Sequence, residues 1–264
     1  VSGSHLILTL GRSGSNYLVD AINQSPEALN YGEVLGSWTL TRRVYDQLGA
    51  MSDPRRYLDR FYDAPSRYYL GQVMHAALRL KNGRRPSPKP RGEVRTIGTK
   101  DFAFTYRELG LERYPAEREG MRVIGLRRRN LVKRYVSGAV MKRTGVAAVT
   151  DGETLEVGRI TVDPDAFMRG LSIYQSELDL LDEMLNAVPE PRRLVFDYED
   201  VFASSDEVER AVAAMFAFLD LPPAPHVARH QKITTTPLCR LITNFDELRE
   251  RVSATPYEEM LLAD

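Results

Sequence analysis

Apolar residues along the chain follow two rhythms. Four short stretches are nearly continuous: His5-Leu6-Ile7-Leu8-Thr9-Leu10, then 94–98, 123–126 and 194–196. Runs of this length, apolar without alternation, suit parallel strands covered on both faces. Between and after them the spacing turns helical. Tyr17, Leu18, Ala21 and Ile22 follow the first run, and Tyr57, Phe61, Tyr62, Tyr68 and Tyr69 make an aromatic-rich helical region expected to pack inward. Asp163-Pro164 predicts a helix start, with Asp163 as cap and Pro164 in the first turn, ahead of a buried stripe of Phe167, Leu171, Tyr174, Leu178 and Leu181. Ser204-Ser205-Asp206-Glu207 has capping-box spacing and predicts a second helix, with Val208, Val212, Met215, Phe216 and Leu219 inward. Strands alternating with helices predict an α/β protein with a mostly parallel central sheet flanked by helices.

No repeat or composition break divides the 264 residues, so one domain over 1–264 is expected. Two segments rich in turn residues or poor in periodicity, 81–93 and 145–162, are expected to be mobile loops, the second in a position suited to a substrate lid.

Composition then removes several classes. Lys and Arg number 36 and so do Asp and Glu, which argues against a general nucleic-acid coat or a polybasic membrane anchor. Cys239 is the sole cysteine and the four histidines lack metal-ligand spacing, so neither an internal disulfide nor a thiolate metal cluster is expected. No run of ~18 apolar residues predicts a membrane span, and the opening residues lack the features of a signal peptide. The expected setting is cytoplasmic. A homodimer is compatible with the sequence but not specified by it.

Neutrality of the whole conceals local asymmetry. Residues 121–143 hold eight Lys/Arg and no acid, whereas 177–220 hold twelve Asp/Glu and three Arg. The basic block follows a predicted strand, so a local positive field is expected where ligands of open α/β sheets bind.

The first strand ends at Gly11-Arg12-Ser13-Gly14-Ser15-Asn16-Tyr17 and passes directly into a helix. A small-residue turn lets backbone N–H groups approach an anion, and the helix N-terminus adds partial positive charge. Arg12 contributes a forked cation, and Ser13, Ser15 and Asn16 contribute hydrogen-bonding side chains. The Walker pattern is absent, including its terminal Lys-Ser/Thr pair, which weakens the case for a metal-assisted phosphoryl transferase. In the second basic segment, Arg128 and Arg129 lie at a strand end, with Ser137 about two helical turns further on.

These two segments resemble the phosphate-binding motifs of sulfotransferases that use 3′-phosphoadenosine 5′-phosphosulfate (PAPS). Arg12-Ser13-Gly14-Ser15 is similar to their 5′-phosphosulfate loop, and Arg128/Arg129 with Ser137 to their 3′-phosphate motif. Leu194-Val195-Phe196-Asp197-Tyr198-Glu199-Asp200 resembles the family's strand followed by Tyr-Glu-Asp. Gln231-Lys232-Ile233-Thr234-Thr235-Thr236-Pro237-Leu238 and Ile242-Thr243-Asn244-Phe245-Asp246-Glu247-Leu248 resemble the C-terminal part of bacterial members acting on carbohydrates and small molecules. The sequence departs from the family in having Gly11 where many bacterial members have Pro, and Asn130-Leu131 in place of an acidic-Pro pair. It also lacks the Gly-rich C-terminal motif of eukaryotic cytosolic members.

The resemblance implies a P-loop-like three-layer sandwich and a metal-free sulfuryl transfer from PAPS, with 3′-phosphoadenosine 5′-phosphate (PAP) as product. The acceptor is expected to be a hydroxyl on a small metabolite or glycoconjugate. Gly14, Asn16 and Tyr17 join Arg12, Ser13, Ser15, Arg128, Arg129 and Ser137 as candidate donor contacts. Arg12 and Lys100 are candidate stabilisers of the leaving group. Glu33, in Tyr31-Gly32-Glu33, is the candidate general base, with Asp101 and His75 in reserve. A nucleotide-binding module without catalysis, and a small-molecule kinase with an atypical phosphate loop, remain the competing readings.

Overall fold

The first apolar run forms strand β1, Gly3–Thr9, because its side chains bury on both faces: Leu6 and Leu8 enter one core, Ile7 another. Among the described residues the remaining strands are β2 Ala28–Asn30, β3 Thr96–Phe102, β4 Met121–Arg127, β5 Val149–Thr150, β6 Arg193–Asp197 and β7 His230–Gln231. This computed structural model describes residues 3–47, 49–81, 83, 85, 87–146, 149–150, 158–224, 230–231 and 236–263.

Five strands pair in the order β2-β3-β1-β4-β6, and every pairing is parallel. β5 and β7 form a separate antiparallel pair. On one face of the sheet, helices Pro54–Asp63 and Ala103–Glu108 and the second half of Pro164–Ala187 bury Tyr57, Leu58, Phe61, Tyr106, Leu181 and Leu185 against Leu6, Leu8 and Val123. On the other, helices Ser15–Gln24 and Ser205–Phe218 bury Leu18, Ile22, Val212, Met215 and Phe216 against Ile7, Ile124 and Leu126. Each fully buried side chain of this kind contributes ~1.5–3 kcal/mol. The result is the expected three-layer, P-loop-like α/β architecture. A further cluster beyond the sheet joins helix Leu131–Thr144 to Phe167, Leu171, Leu248 and Leu261.

Because β1 lies between β3 and β4, the chain runs to opposite sides of the sheet from its centre. The crevice at the carboxyl ends of β1 and β4 is thus the topological switch point, where ligands of open parallel sheets bind. Among the described residues no helix is long and apolar enough to cross a membrane.

Both capped helix starts form as the sequence predicts. Asp163 accepts from the Ala166 amide at 2.6 Å and Ser204 from the Glu207 amide at 3.2 Å. The third strand differs: β3 spans 96–102 rather than 94–98, so Lys100 and Asp101 lie inside it instead of after it. Their polarity masks a buried strand whose charges are met by partners from the 32–35 turn. Strand β2 escapes the apolar pattern because it is a three-residue edge. Tyr69 is 60% exposed, unlike the other aromatics of its region.

Within 81–93, expected to be an exposed loop, Lys89 is anchored: its ammonium donates to the carbonyls of Asn23, Ser25 and Ala28. Burial lowers its pKa to about 8. Of the proposed lid, residues 147–148 and 151–157 lie outside the described residues, as do 232–235 of the C-terminal segment.

Candidate anion-binding and active site

The turn after β1 is shaped by its own hydroxyls. Ser13 is 1% exposed, its Oγ 2.6 Å from the Thr9 hydroxyl and donating to the Leu10 carbonyl at 2.8 Å. The Ser13 hydroxyl therefore builds the loop. Arg12 and Gly14 both adopt left-handed backbone, with φ of 64° and 77°. For a non-glycine residue this conformation costs of order 1–3 kcal/mol, so it persists only where neighbours hold it. At Gly14 the space is also closed: a Cβ would fall 2.9 Å from the Phe202 ring and 3.1 Å from that of Tyr198.

Two buried arginines supply the hold. Arg134 donates from Nε to the Gly11 carbonyl at 2.9 Å, and Arg128 donates from Nη1 to the Arg12 carbonyl at 2.6 Å. All peptides here are trans, so a carbonyl and the next amide point in opposite directions. Pinning these two carbonyls turns the Arg12 and Ser13 amides the other way. Helix Ser15–Gln24 follows with no side-chain cap and no acid in its first turn, so its N-terminal partial charge is not neutralised locally.

The second segment meets the first here. Arg12 Nε donates to Ser137 Oγ at 3.2 Å, across 125 residues of sequence, and Nη1 lies 3.6 Å from Met141 Sδ. Ser137 is placed by helix Leu131–Thr144, which Asn130 caps by accepting from the Lys133 amide at 2.8 Å. Arg128 stacks over Tyr198 at 4.4 Å, and Arg134 over Tyr174 at 3.8 Å while pairing with Glu177. Burial lowers the pKa of the Arg12 and Arg128 guanidiniums. Arg128 Nε and Arg134 Nη1 are buried and have no hydrogen-bond acceptor among the described residues. Desolvated cations with unspent donors fit an anionic ligand.

Not every arginine of the basic block contributes. Arg129, a candidate donor contact, is 55% exposed and donates to Asp200 at 3.1 Å. Arg127 pairs with Asp197 and Asp182, and Arg122 with Asp220. Four of the eight cations of 121–143, Arg122, Arg127, Arg129 and Arg134, are therefore met by acids of the stretch 177–220, while Arg128 turns to the loop that carries Arg12. Tyr198-Glu199-Asp200 explains its own place in the sequence: the ring supports Arg128, Glu199 accepts from the amides of Arg129 and Asn130 at 3.1 and 2.9 Å, and Asp200 restrains Arg129.

Of the other candidates, Ser15 is buried at the first helical position and Asn16 is exposed. Tyr17 is 7% exposed and packs edge-on against Phe202, which makes it a support of the loop. Arg134 was missed by the sequence reading; its signal was its position four residues after the cap Asn130 and three before Ser137, on one helix face.

A second cluster occupies the neighbouring strand. Lys100, 3% exposed, forms an ion pair with Glu33, whose other carboxylate oxygen accepts from Trp38 Nε1 at 2.6 Å. In the sheet register Lys100 stands beside Ile7, two residues before the end of β1. The turn bearing Glu33 is fixed by Asn30, whose Oδ1 accepts from the Gly32 amide at 2.9 Å, and by Asp101, whose Oδ1 accepts from the Val34 and Leu35 amides at 3.1 and 3.0 Å. Asp101 is thus a buried clamp for the turn rather than a reserve base. His75 lies in helix Pro65–Lys81 with its side chain outside the described residues.

Burial pushes the Asp101 carboxyl up from 3.8 to about 7, and holds the buried His5 imidazole down from 6.5 to about 3. The signs oppose. Folded Asp101 keeps a proton that the unfolded chain loses, so its contribution falls as pH rises from 3.8 toward about 7. Folded His5 refuses a proton that the unfolded chain takes, so its contribution grows as pH rises from about 3 toward 6.5. Asp101→Asn keeps the Oδ1 acceptor and removes the titration. Its stability by urea denaturation should therefore rise more steeply than wild type between pH 4 and 6.5, the overlap of the two ranges. Parallel curves would show that Asp101 does not titrate in that window.

No family model matches the chain. It is 25% identical to Nodulation protein H of Rhizobium tropici over 266 residues, spanning 98% of this chain and 93% of that protein. Solved structures similar to it include the sulfotransferase domain of the curacin biosynthetic pathway, with 16% identity, TM-score 0.47, and coverage of 85% of this chain and 76% of that one. The sulfotransferase of Alicyclobacillus acidocaldarius matches with 15% identity, TM-score 0.47, and coverage of 100% and 97%. Retinol dehydratase, solved with retinol and PAP, matches with 13% identity, TM-score 0.38, and coverage of 85% and 62%. At this distance the chain's own residues carry the functional assignment.

Proposed function

We propose that the protein is a sulfotransferase that moves a sulfuryl group from PAPS to a hydroxyl of a small acceptor. The observation that carries this reading is the contact between Arg12 of the β1 loop and Ser137 of the helix after β4. It merges two anion-binding segments into one site at the switch point of the sheet. A ligand with two separate phosphate positions suits such a site better than one with a single anionic group.

PAPS, when bound, supplies the sulfuryl group and leaves as PAP. The amides of the β1 loop, the helix N-terminus and the Arg12 guanidinium hold the 5′-phosphosulfate end and stabilise charge on the departing phosphate oxygen. Arg128 and Ser137 hold the 3′-phosphate, with Arg128 Nε as the donor to spare; Arg129 stays with Asp200. Glu33 takes the proton of the attacking hydroxyl, so the acceptor oxygen gains the sulfuryl group and the carboxylate gains the proton. Each Glu33 oxygen already accepts one hydrogen bond and keeps lone-pair capacity for another. Lys100 orients this carboxylate and adds positive charge beside the reacting oxygens. The reading as a kinase loses ground because no Lys-Ser/Thr pair closes the loop.

Calorimetry with PAP and with adenosine 5′-phosphate tests the two-segment site. PAP should bind at least about tenfold tighter, since charge-assisted hydrogen bonds contribute ~1.5–3 kcal/mol. Equal affinities would remove Arg128 and Ser137 as a 3′-phosphate site.

A further inference from the structure

We propose that Trp38, Phe102 and Phe104 form the acceptor platform of this enzyme, and that the acceptor carries its hydroxyl on a ring with a flat apolar face. The proposal rests on the sulfotransferase reading and names the class of its second substrate.

Trp38 is 50% exposed, an unusual position for the chain's sole tryptophan. It is not a loose surface residue. Its indole seats against Gly36, where a Cβ would come within 2.4 Å of ring carbons, and its Nε1 donates to the candidate base Glu33. Phe102 closes β3 two residues after Lys100, and Phe104 follows in helix Ala103–Glu108. Their rings stack at 5.4 Å with an interplanar angle of 12°. Trp38 lies 6.0 and 6.2 Å from them, tilted by only 32° and 38°. Both phenylalanines are half-buried beside the exposed indole, so the three rings gather into one partly exposed apolar surface. The Lys100 ammonium sits 4.7 Å over the Phe102 ring, which ties this surface to the same charged pair that would handle the proton.

Aromatic rings gain most from a planar partner, whether an aryl ring or the C–H face of a pyranoside. A flexible alkyl alcohol loses rotational freedom there without equivalent contact. A ring on this platform holds its hydroxyl next to Glu33, where a general base must be within hydrogen-bond reach.

Because Trp38 is the only tryptophan, its emission reports the platform without turnover. PAP-loaded protein is titrated with a panel of aryl alcohols, a panel of methyl pyranosides, and 1-butanol. A saturable emission change with ring alcohols of at least one panel, absent with 1-butanol, is expected; the panel that responds tells an aryl face from a sugar face. Phe104→Ala should weaken that ligand about tenfold or more while PAP affinity stays within about twofold. No saturable response from either panel, an equal response to 1-butanol, or unchanged ring affinity in Phe104→Ala would overturn the platform. If ring alcohols bind but PAP does not bind the wild-type protein, the donor reading fails and the platform stands.

Discussion

Glu33→Gln is expected to lower turnover with PAPS and a hydroxyl acceptor by about 10²–10⁴-fold, the range that general-base catalysis contributes. The substitution keeps the side chain's length and one carboxyl-type acceptor, so Trp38 can still donate to it. The ion pair with Lys100 is lost, and with it the full charge that neutralises a lysine only 3% exposed. PAP affinity should stay within about threefold, because Glu33 belongs to the β2–β3 side of the crevice and the phosphate contacts to the β1–β4 side. Steady-state rates and a PAP titration on the same preparation separate the two effects. Near-wild-type turnover would remove Glu33 as the base. A parallel loss of PAP binding would mean that the substitution disturbs the site as a whole.

Arg12→Ala is expected to weaken PAP binding on the order of a hundredfold, from the loss of a partly desolvated cation and its charge-assisted hydrogen bonds. The same change relieves a non-glycine residue only in part, since alanine at φ 64° is strained as well. Fold stability should therefore change much less than affinity. Arg129→Ala is the internal comparison: this side chain is exposed and already bound to Asp200, so the loss of PAP affinity should be at most about fivefold. Equal losses at Arg12 and Arg129, read by calorimetry, would show that bulk positive charge rather than the built loop holds the nucleotide.

The fold was largely legible because its signals are redundant. β1 is apolar on both faces, Gly14 and the following helical spacing mark the turn, and Asp163 and Ser204 cap helices where their spacing places caps. The site was legible in its loop and less so in its arginines. A run such as Arg127-Arg128-Arg129 shows charge but not direction. In the structure Arg127 turns to Asp197, Arg128 turns under the loop, and Arg129 turns to Asp200. Only the register of β4 with β6, which brings Asp197 opposite Arg127, decides this. Buried charge hid β3 in the same way: Lys100 and Asp101 read as polar loop residues because their partners, Glu33 and the 34–35 amides, lie about 67 residues away in sequence. Ser13 misled through its chemistry. A serine in a phosphate-loop pattern suggests a ligand contact, yet its hydroxyl is spent on Thr9 and Leu10.

The most direct test of the central claim follows sulfur. Protein incubated with PAPS labelled in the sulfuryl group and a panel of hydroxyl acceptors should transfer the label to an acceptor hydroxyl, with one PAP released per label transferred, as read by mass spectrometry. Tight PAP binding with the label remaining on the donor across the panel would contradict the account, and would make the protein a nucleotide-binding module.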